Sequence, residues 1–289
     1  MLERWARPLS RLWNAAAKVV DAFFRVLGRP GKLVQDLLNG SWLGHSLHPV
    51  VVDVVVGGST VALLLQLLAW FGVADLRVAL LWVLALTWLA GISAIVTGLT
   101  DFKDTATGDE RNVVGLHGLI NIGATLVLIA AFGALWAEAD GLAGWLIVAG
   151  FLVLSVGAFM GGHVVFKYGY MVNHNAFAHG KKAKEFTAVL PVAELVEATP
   201  TQAMLGATAL VVVRRGDLVF ALKDTCSHAG GPLSKGRLAA DTIVCPWHGS
   251  AFRLRDGVVR HGPAATRQMA YRARISGDQV EVQGPMDPA

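Results

Sequence analysis

The sequence predicts a multidomain membrane protein in which a four-helix transmembrane bundle is followed by an all-β domain. The 289-residue chain is 54% hydrophobic and only 16% charged, whereas soluble domains usually carry about a quarter charged residues. Long apolar runs fill the stretch between Val50 and Phe166, and they are interrupted by only a few charged positions. Beyond residue 180 the composition becomes that of an ordinary soluble domain, with short β-rich runs.

The N-terminal region, residues 1–44, mixes basic and apolar positions. Arg4, Arg11 and Lys18 stand among residues such as Leu12 and Phe23. This pattern predicts an amphipathic helix that lies on the surface of an anionic membrane. A cleaved signal peptide is not expected, because no compact apolar run is followed by a small-residue cleavage site.

Residues 45–180 contain four apolar segments, each about as long as the 20 residues that cross roughly 30 Å of hydrocarbon. Buried helices of a soluble protein would show a polar face, which these segments lack. Gly157 and Gly161 form a pair of small residues that lets helices approach closely, and such Gly-rich faces would allow a homo-oligomer. The predicted spans are approximately Val50–Phe71, Val78–Leu99, Val113–Trp136 and Leu142–Phe166.

The charge pattern predicts the topology of these spans. Four crossings return the chain to the side on which it started, and that side carries nearly all basic residues outside the C-terminal domain, whereas the opposite turns offer only Arg77. The positive-inside rule then places the N-terminus and the C-terminal domain in the cytoplasm. The net charge of +4 does not indicate a nucleic-acid-binding protein, because the basic residues flank apolar segments and do not alternate with aromatic residues.

Residues 181–289 predict a small antiparallel β domain. A hydrophilic linker, residues 181–200, is expected to lead into its first strand, and turn signals such as Arg215-Gly216-Asp217 separate the runs that follow. The β-rich runs are Ala209–Val213, Leu218–Leu222, Thr242–Val244 and Tyr271–Val282.

This domain contains a candidate metal site. It consists of two short motifs, each of which contains one cysteine and one histidine: Cys226-Ser-His228 and Cys245-Pro-Trp-His248. Together they include both cysteines of the chain. Two thiolates and two imidazoles from facing loops can close a metal site. Spacing alone leaves zinc open, since Cys2His2 is a common zinc ligand set.

The sequence around these four residues resembles the Rieske family. The resemblance covers residues 187–283 and rests on Cys226-Ser-His228-Ala-Gly-Gly-Pro-Leu233, Cys245-Pro-Trp-His248-Gly-Ser-Ala-Phe252 and the proline loop Gly262-Pro263-Ala264. It implies a [2Fe–2S] cluster in which Cys226 and Cys245 bind an inner iron, and His228 and His248 bind an outer iron that faces solvent. It also implies one-electron transfer, which the outer imidazoles can couple to protons.

Two departures from the family pattern suggest the subtype. Gly231 and Trp247 occupy the places where cytochrome bc-type Rieske proteins have a disulfide, so the domain resembles the ferredoxin and oxygenase type; a missing disulfide also suits the cytoplasm. Ser250 matches a serine that bonds a bridging sulfide in high-potential members, but Phe252 replaces a tyrosine. Hydrogen bonds to sulfur raise the midpoint potential of the cluster, and Phe252 lacks the hydroxyl that would donate one. We therefore expect a low-to-intermediate potential.

Four histidines, His45, His48, His117 and His163, lie near the cytoplasmic ends of the predicted spans and form a candidate haem or quinone site. Ionisable groups inside a membrane are functional candidates. Haem b, a quinone or proton site that includes Asp53, a non-haem metal, and helix-capping or interfacial side chains without a ligand all remain open. His174 and His179 are expected to be ordinary linker residues.

The membrane half resembles an uncharacterised family of four-span bacterial membrane proteins, with which it shares His48-Pro49 and the stretch from Gly161-Gly162-His163 to Tyr168-Gly169. The whole chain is therefore expected to be an electron-transfer component rather than a complete enzyme, since no catalytic iron site and no nucleotide-binding loop is visible. It would exchange single electrons with a redox partner protein and with haem or quinone in the lipid bilayer. The alternative is a membrane-anchored Rieske ferredoxin that serves a separate oxygenase or reductase.

Overall fold

The computed structural model describes residues 2–177 and 183–286, and these residues form seven α-helices and ten β-strands. They pack as two compact units. The helical unit comprises the described parts of Met1–Gly31 and Ser46–Tyr170, and the β unit comprises the described parts of Lys32–His45 and Met171–Ala289.

The N-terminal region forms three helices instead of the single amphipathic helix predicted. They are α1 (Leu2–Ala6), α2 (Ser10–Val26) and α3 (Gly28–Asn39). A short 3-10 turn that contains Pro8 separates the first two, and Gly28, whose φ of 59° favours glycine, separates the last two. Helix α2 buries Trp13 and Phe24 and leaves Phe23 exposed, so only one side of it is packed within the unit.

The four long helices confirm the predicted bundle. They are α4 (Leu47–Trp70), α5 (Arg77–Phe102), α6 (Asp109–Trp136) and α7 (Asp140–Tyr168), and each is long and apolar enough to cross a membrane. Large apolar side chains such as Trp82 and Phe159 point outward, whereas Gln66 and Thr87 are buried inside. This is the reverse of a soluble bundle and suits lipid, which solvates apolar side chains and leaves small and polar residues to join the helices.

Glycines determine how closely these helices approach. A Cβ on Gly91 of α5 would lie 2.8 Å from Cγ2 of Thr125 in α6, and one on Gly150 of α7 would lie 2.8 Å from Cδ2 of Leu128. Real Cβ atoms do not come this close, so larger residues at these positions would push the helices apart.

The β unit confirms the predicted all-β domain and consists of two antiparallel sheets. The larger sheet has the order β1-β10-β9-β4-β3-β2, and the smaller one β5-β6-β7-β8. The strands are β1 (Ala183–Pro191), β2 (Thr201–Leu205), β3 (Thr208–Arg215), β4 (Leu218–Lys223), β5 (Arg237–Ala239), β6 (Thr242–Val244), β7 (Ala251–Arg253), β8 (Val259–His261), β9 (Ala270–Ser276) and β10 (Gln279–Gly284).

Strand β3 forms the centre of the domain because both of its faces are buried. Leu210 and Val212 point into one apolar cluster, and Val211 and Val213 point into the other. The second cluster also contains Phe252 of β7 and the two cysteines, so the core of the domain reaches directly to the candidate metal site.

The expected linker at residues 181–200 is mostly structured. Strand β1 occupies residues 183–191 and pairs with β10, with Leu190 opposite Val280. Hydrogen bonding to a distant strand overrides the polar composition of this segment, which local sequence patterns cannot reveal. Residues 181 and 182 lie outside the described residues.

The neighbouring glycines of α4 give a matched test of helix packing. A Cβ on Gly58 would overlap the hydroxyl of the buried Thr87, which is fixed by a 2.6 Å hydrogen bond to the carbonyl of Val83, whereas a Cβ on Gly57 would meet nothing within 4 Å. We expect Gly58→Ala to destabilise the protein by about 1–3 kcal/mol. Gly57→Ala should be neutral or stabilise the helix by up to about 1 kcal/mol.

Thermal unfolding of the two detergent-purified variants measures this difference. Equal unfolding temperatures for both would contradict the packing of α4 against α5 through Gly58.

Candidate metal centre

Two loops of the β unit carry the four predicted ligands. The first loop, residues 225–232, follows β4, and the second loop, residues 245–250, connects β6 to β7. In the first loop the N–H of Cys226 donates to the carbonyl of Gly231 at 2.9 Å, and the N–H of Gly230 donates to the carbonyl of Cys226 at 2.9 Å. Each hydrogen bond closes a tight turn around the cysteine.

The second loop repeats this arrangement. The N–H of Cys245 donates to the carbonyl of Ser250 at 2.8 Å, and the N–H of Gly249 donates to the carbonyl of Cys245 at 3.1 Å. Gly230 and Gly249 hold equivalent places and both have a positive φ, 80° and 76°. A side chain would be strained at either place, which explains a glycine four residues after each cysteine.

The thiols and the imidazoles form two separate pairs. Cys226 and Cys245 are 1% and 4% exposed, whereas His248 is partly exposed and His228 only 7%. The two imidazole rings lie with their centroids 5.1 Å apart and perpendicular to each other. The loops therefore present a buried thiol pair and, closer to the surface, an imidazole pair.

Backbone N–H groups around the sulfur atoms favour negative charge. The Cys226 thiol donates a hydrogen bond to the sulfur of Cys245 and lowers the pKa of the Cys245 thiol to about 7, and the backbone N–H groups of Trp247 and His248 act in the same direction. The same thiol–thiol bond raises the pKa of Cys226, while the N–H groups of His228 and the following residue lower it. Each loop thus directs two backbone donors at its own sulfur, as a thiolate ligand requires.

Gly231 stands where a Cβ has no room. A Cβ at this position would lie 2.9 Å from the sulfur of Cys245 and 2.9 Å from the indole of Trp247. Gly231 and Trp247, the two positions from which the sequence predicts the subtype, are thus in direct contact, and the indole is 57% exposed.

A third segment, residues 262–264, closes over the second loop. The N–H of Ala264 donates to the hydroxyl of the buried Ser250 at 3.1 Å, which leaves the proton of that hydroxyl able to be donated elsewhere. A Cβ on Gly262 would come within 2.7 Å of Cα of Ser250, so the two segments touch through their backbones.

Asp36 of α3 holds this third segment from the other side. One carboxylate oxygen lies 2.6 Å from Nδ1 of His261, and the other accepts the N–H of Gly262 at 2.9 Å. Sequence reasoning missed this contact. The available signal was weak: Asp36 is one of only three acidic residues in the basic region 1–44.

Gln268 and Asn175 hold the first loop. The buried amide of Gln268 accepts the N–H of Ser227 at 2.9 Å and donates to the carbonyl of Thr225 at 2.7 Å. The Asn175 amide donates to the same carbonyl of Thr225 at 3.1 Å and to Oε1 of Gln268 itself at 3.2 Å. The backbone N–H of His174 donates to the carbonyl of Ser227 at 3.1 Å, so the segment that follows α7 packs on this loop. His179 lies outside the described residues.

Two of the four membrane-region histidines, His48 and His117, lie inside the helical unit. Nδ1 of His48 lies 3.0 Å from the carbonyl of Ala94 in α5, and Nδ1 of His117 lies 2.9 Å from the carbonyl of Gly157 in α7. His163 lies at a different place in the same unit, where its Nε2 is 3.5 Å from the carboxylate of Glu3.

Lys167 and Tyr168 also contact Glu3, and the Lys167 ammonium above all holds the pKa of Glu3 well below its usual range. His163 thus belongs to an ionic cluster next to α1. His45 is exposed and belongs to the β unit, and Asp53 is exposed on α4. Within the helical unit the structure does not gather the predicted histidines at one point.

The donors of the β unit fit a two-iron cluster. In such a cluster one iron takes two thiolates and the other takes two imidazoles, and the two loops present such pairs, one buried and one closer to solvent. A single zinc ion would instead need all four donors around one point. The pairwise separation of thiols and imidazoles therefore favours the cluster.

Comparisons with known proteins agree with this fit. Residues 185–272 match the Rieske [2Fe-2S] domain family, and residues 44–174 match the family described as a predicted membrane protein, DUF2231. Ferredoxin CarAc of Metapseudomonas resinovorans is 36% identical over 80 residues, which cover 28% of this chain and 75% of that protein. The ferredoxin subunit of anthranilate 1,2-dioxygenase from Burkholderia cepacia is 34% identical over 89 residues, which cover 31% of this chain and 82% of that protein.

Among solved structures, the ferredoxin of carbazole 1,9a-dioxygenase from Nocardioides aromaticivorans IC177 is 29% identical. It covers 35% of this chain and 99% of its own, with a TM-score of 0.34.

The role of Gln268 can be tested directly. Gln268→Leu keeps the volume but leaves the N–H of Ser227 and the carbonyl of Lys223 without partners, at about 1–3 kcal/mol for each buried group. We expect a lower content of iron and sulfide per chain, because the first loop loses its support.

Gln283→Leu is the matched control, since that amide bonds an exposed carbonyl of Lys184 on β1. If both variants retain the wild-type iron and sulfide content, Gln268 does not hold the loop.

Proposed function

We propose that this chain, which belongs to the Rieske [2Fe–2S] family and joins that domain to a DUF2231 membrane domain, is a membrane-bound carrier of single electrons. Cys226 and Cys245 would hold the inner iron of the cluster, and His228 and His248 the outer iron. The observation that carries the proposal is the buried thiol pair next to an imidazole pair that lies closer to the surface.

The residues around the ligands have definable tasks. When bound, the cluster supplies a one-electron couple whose potential depends on hydrogen bonds to sulfur. The backbone N–H groups of the two loops stabilise the thiolates, and the buried core around Phe252 keeps water from them. Because an imidazole that binds iron through one nitrogen keeps the other for a proton, His228 and His248 can link electron transfer to protonation.

The partly exposed His248 and the exposed Trp247 mark the place where an electron would leave. A flat apolar ring beside a ligand offers a contact area for a redox partner protein. One of the relatives given above is named as the ferredoxin subunit of a dioxygenase, anthranilate 1,2-dioxygenase. We therefore propose a partner of the oxygenase or reductase class.

The helices would keep the carrier at the membrane. Tyr168 ends α7, and His174, six residues later, already packs on the first loop. Such a connection reaches about 20 Å at most, so the ligands could not diffuse away as a separate ferredoxin does. The distribution of basic residues supports a bacterial inner membrane with the N-terminus and the β unit in the cytoplasm.

Two versions of this function remain distinct. In the first, the membrane domain contains an electron donor or acceptor, haem or quinone, at a site formed by its histidines; the hydrogen-bonded imidazoles of His48 and His117 favour it. In the second, the helices only anchor a Rieske ferredoxin. The second is favoured by the ferredoxin relatives, whose similarity covers about a third of the chain.

Iron and sulfide analysis, together with EPR of the reduced full-length protein, tests the carrier function. We expect two iron and two sulfide per chain and a rhombic EPR signal, both lost in Cys245→Ser and His248→Ala. His174→Ala is the control, because His174 donates to the first loop through its backbone N–H. Protein that contains zinc, without iron and without the signal, would overturn the proposal.

The missing tyrosine hydroxyl gives a second prediction. Phe252→Tyr should raise the midpoint potential by about 60 mV if a new hydrogen bond to sulfur favours the reduced cluster by about 1.4 kcal/mol. Phe220→Tyr is the control, since Phe220 packs on the same core from β4.

A redox titration followed by EPR measures both variants. An unchanged potential in a Phe252→Tyr protein that keeps its full cluster content would show that this position does not set the potential.

A further inference from the structure

The helical unit contains the same histidine arrangement twice. In the α4–α5 pair, a Leu-His sequence places His48 so that Nδ1 meets the carbonyl of Ala94, and the ring lies against Gly98, four residues further on, where a Cβ would come within 2.9 Å of Cε1. A second hydrogen-bond partner, the hydroxyl of Thr97, lies 3.2 Å from Nδ1.

In the α6–α7 pair, a second Leu-His sequence places His117 in the same way. Its Nδ1 meets the carbonyl of Gly157, and its ring lies against Gly161, again four residues further on, where a Cβ would come within 3.1 Å of Cε1. Each helical hairpin therefore holds one imidazole by one carbonyl and one glycine.

These contacts determine which nitrogen of each ring is protonated. A carbonyl oxygen can only accept a hydrogen bond, so Nδ1 of both rings must carry the proton. In the neutral imidazole this leaves the lone pair on Nε2, and the contacts of the two rings with polar atoms of the described residues all involve Nδ1. The amide nitrogen of Asn121, 3.2 Å from Nδ1 of His117, donates its hydrogen bond to the His117 carbonyl at 2.8 Å instead. Histidine ligands of metals have this arrangement, in which a carbonyl fixes the ring and the other nitrogen binds the metal.

The rings lie on diagonally opposite helices at the same end of the bundle. His48 is the second residue of α4, and its carbonyl partner lies in the last third of α5; His117 lies in the first third of α6, and its partner in α7 lies beyond the middle. An apolar cluster formed by all four helices lies next to these contacts and further into the bundle, with Val55, Ala94, Ala124 and Leu154 as its buried members.

We propose that Nε2 of His48 and Nε2 of His117 are the two axial ligands of a b-type haem within the helical unit. The proposal rests on the proposed electron-carrier function and names the centre with which the cluster would exchange electrons. Such a haem would supply a second one-electron centre, which is reduced as the cluster is oxidised or oxidised as the cluster is reduced.

The tautomer favours haem over an oxidised quinone. A quinone carbonyl needs a donor, and an Nε2 with a lone pair cannot provide one, whereas an iron ion accepts that lone pair. A bis-histidine haem requires just two protein ligands, because the porphyrin supplies the other four nitrogens. Two equivalent imidazoles from two equivalent hairpins meet this requirement.

Full-length protein, expressed with added haem precursor and purified in detergent, tests the site. A pyridine haemochrome assay should give about one haem per chain and the absorbance spectrum should be that of a low-spin, six-coordinate haem. His48→Ala and His117→Ala should each lower the haem content about tenfold or more. His163→Ala should keep it, because that ring lies in the ionic cluster around Glu3.

His117→Met provides a variant that can still bind iron. We expect it to retain haem with an altered spectrum, which a merely structural histidine would not produce. Wild-type haem content in His48→Ala or His117→Ala, or loss of haem in His163→Ala alone, would overturn the assignment.

The EPR signal of the [2Fe–2S] cluster is recorded on every sample. It shows that a variant is folded and separates the two hypotheses. Protein with a full cluster signal and no haem would overturn the haem site and leave the carrier function intact. Protein without the cluster would overturn the proposed function, whatever its haem content.

Discussion

The β unit depends on one constraint: two cysteines must lie together in an apolar core and still act as thiolates. A buried negative charge without compensation is costly. The chain meets this constraint twice in the same way, with a turn closed between the cysteine and the residue five positions later and two backbone N–H groups directed at the sulfur. Because the donors are backbone groups, their geometry follows from the turn itself, and the requirement for glycine at positions 230 and 249 follows from the same turn.

The remaining parts of the unit support these two turns. Both sheets meet in a core that contains the cysteines, and β3 is buried on both faces. Gln268 holds the first loop, and Asp36 holds the segment that covers the second. Asp36 lies in α3 and Asn175 in the segment after α7, so pieces of chain from both ends of the membrane domain contribute to the support of the cluster loops. A separate ferredoxin domain would lack both.

Much of this architecture can be predicted from sequence because the signals are local. The four spans follow from apolar length, and the ligands Cys226, His228, Cys245 and His248 follow from two short motifs. The contacts that cannot be predicted join distant positions: Gln268 meets Ser227 41 residues away, and Asp36 meets His261 225 residues away.

Strand β1 was missed for the same reason, since its partner β10 lies at the other end of the domain. The division of the N-terminal region into three helices had local signals, Pro8 and Gly28, but amphipathic periodicity continues across both.

The histidines show how structure narrows a set that sequence leaves open. Four of them lie at similar predicted depth, and depth alone does not distinguish a ligand from an interfacial side chain. The partners do: His163 faces a carboxylate, whereas His48 and His117 each face a carbonyl in a groove made by glycine. A carbonyl fixes the proton on one nitrogen of the ring and leaves the other nitrogen able to bind a metal. Since two hairpins repeat this arrangement, it supports the proposed paired binding site over a membrane domain that is only an anchor.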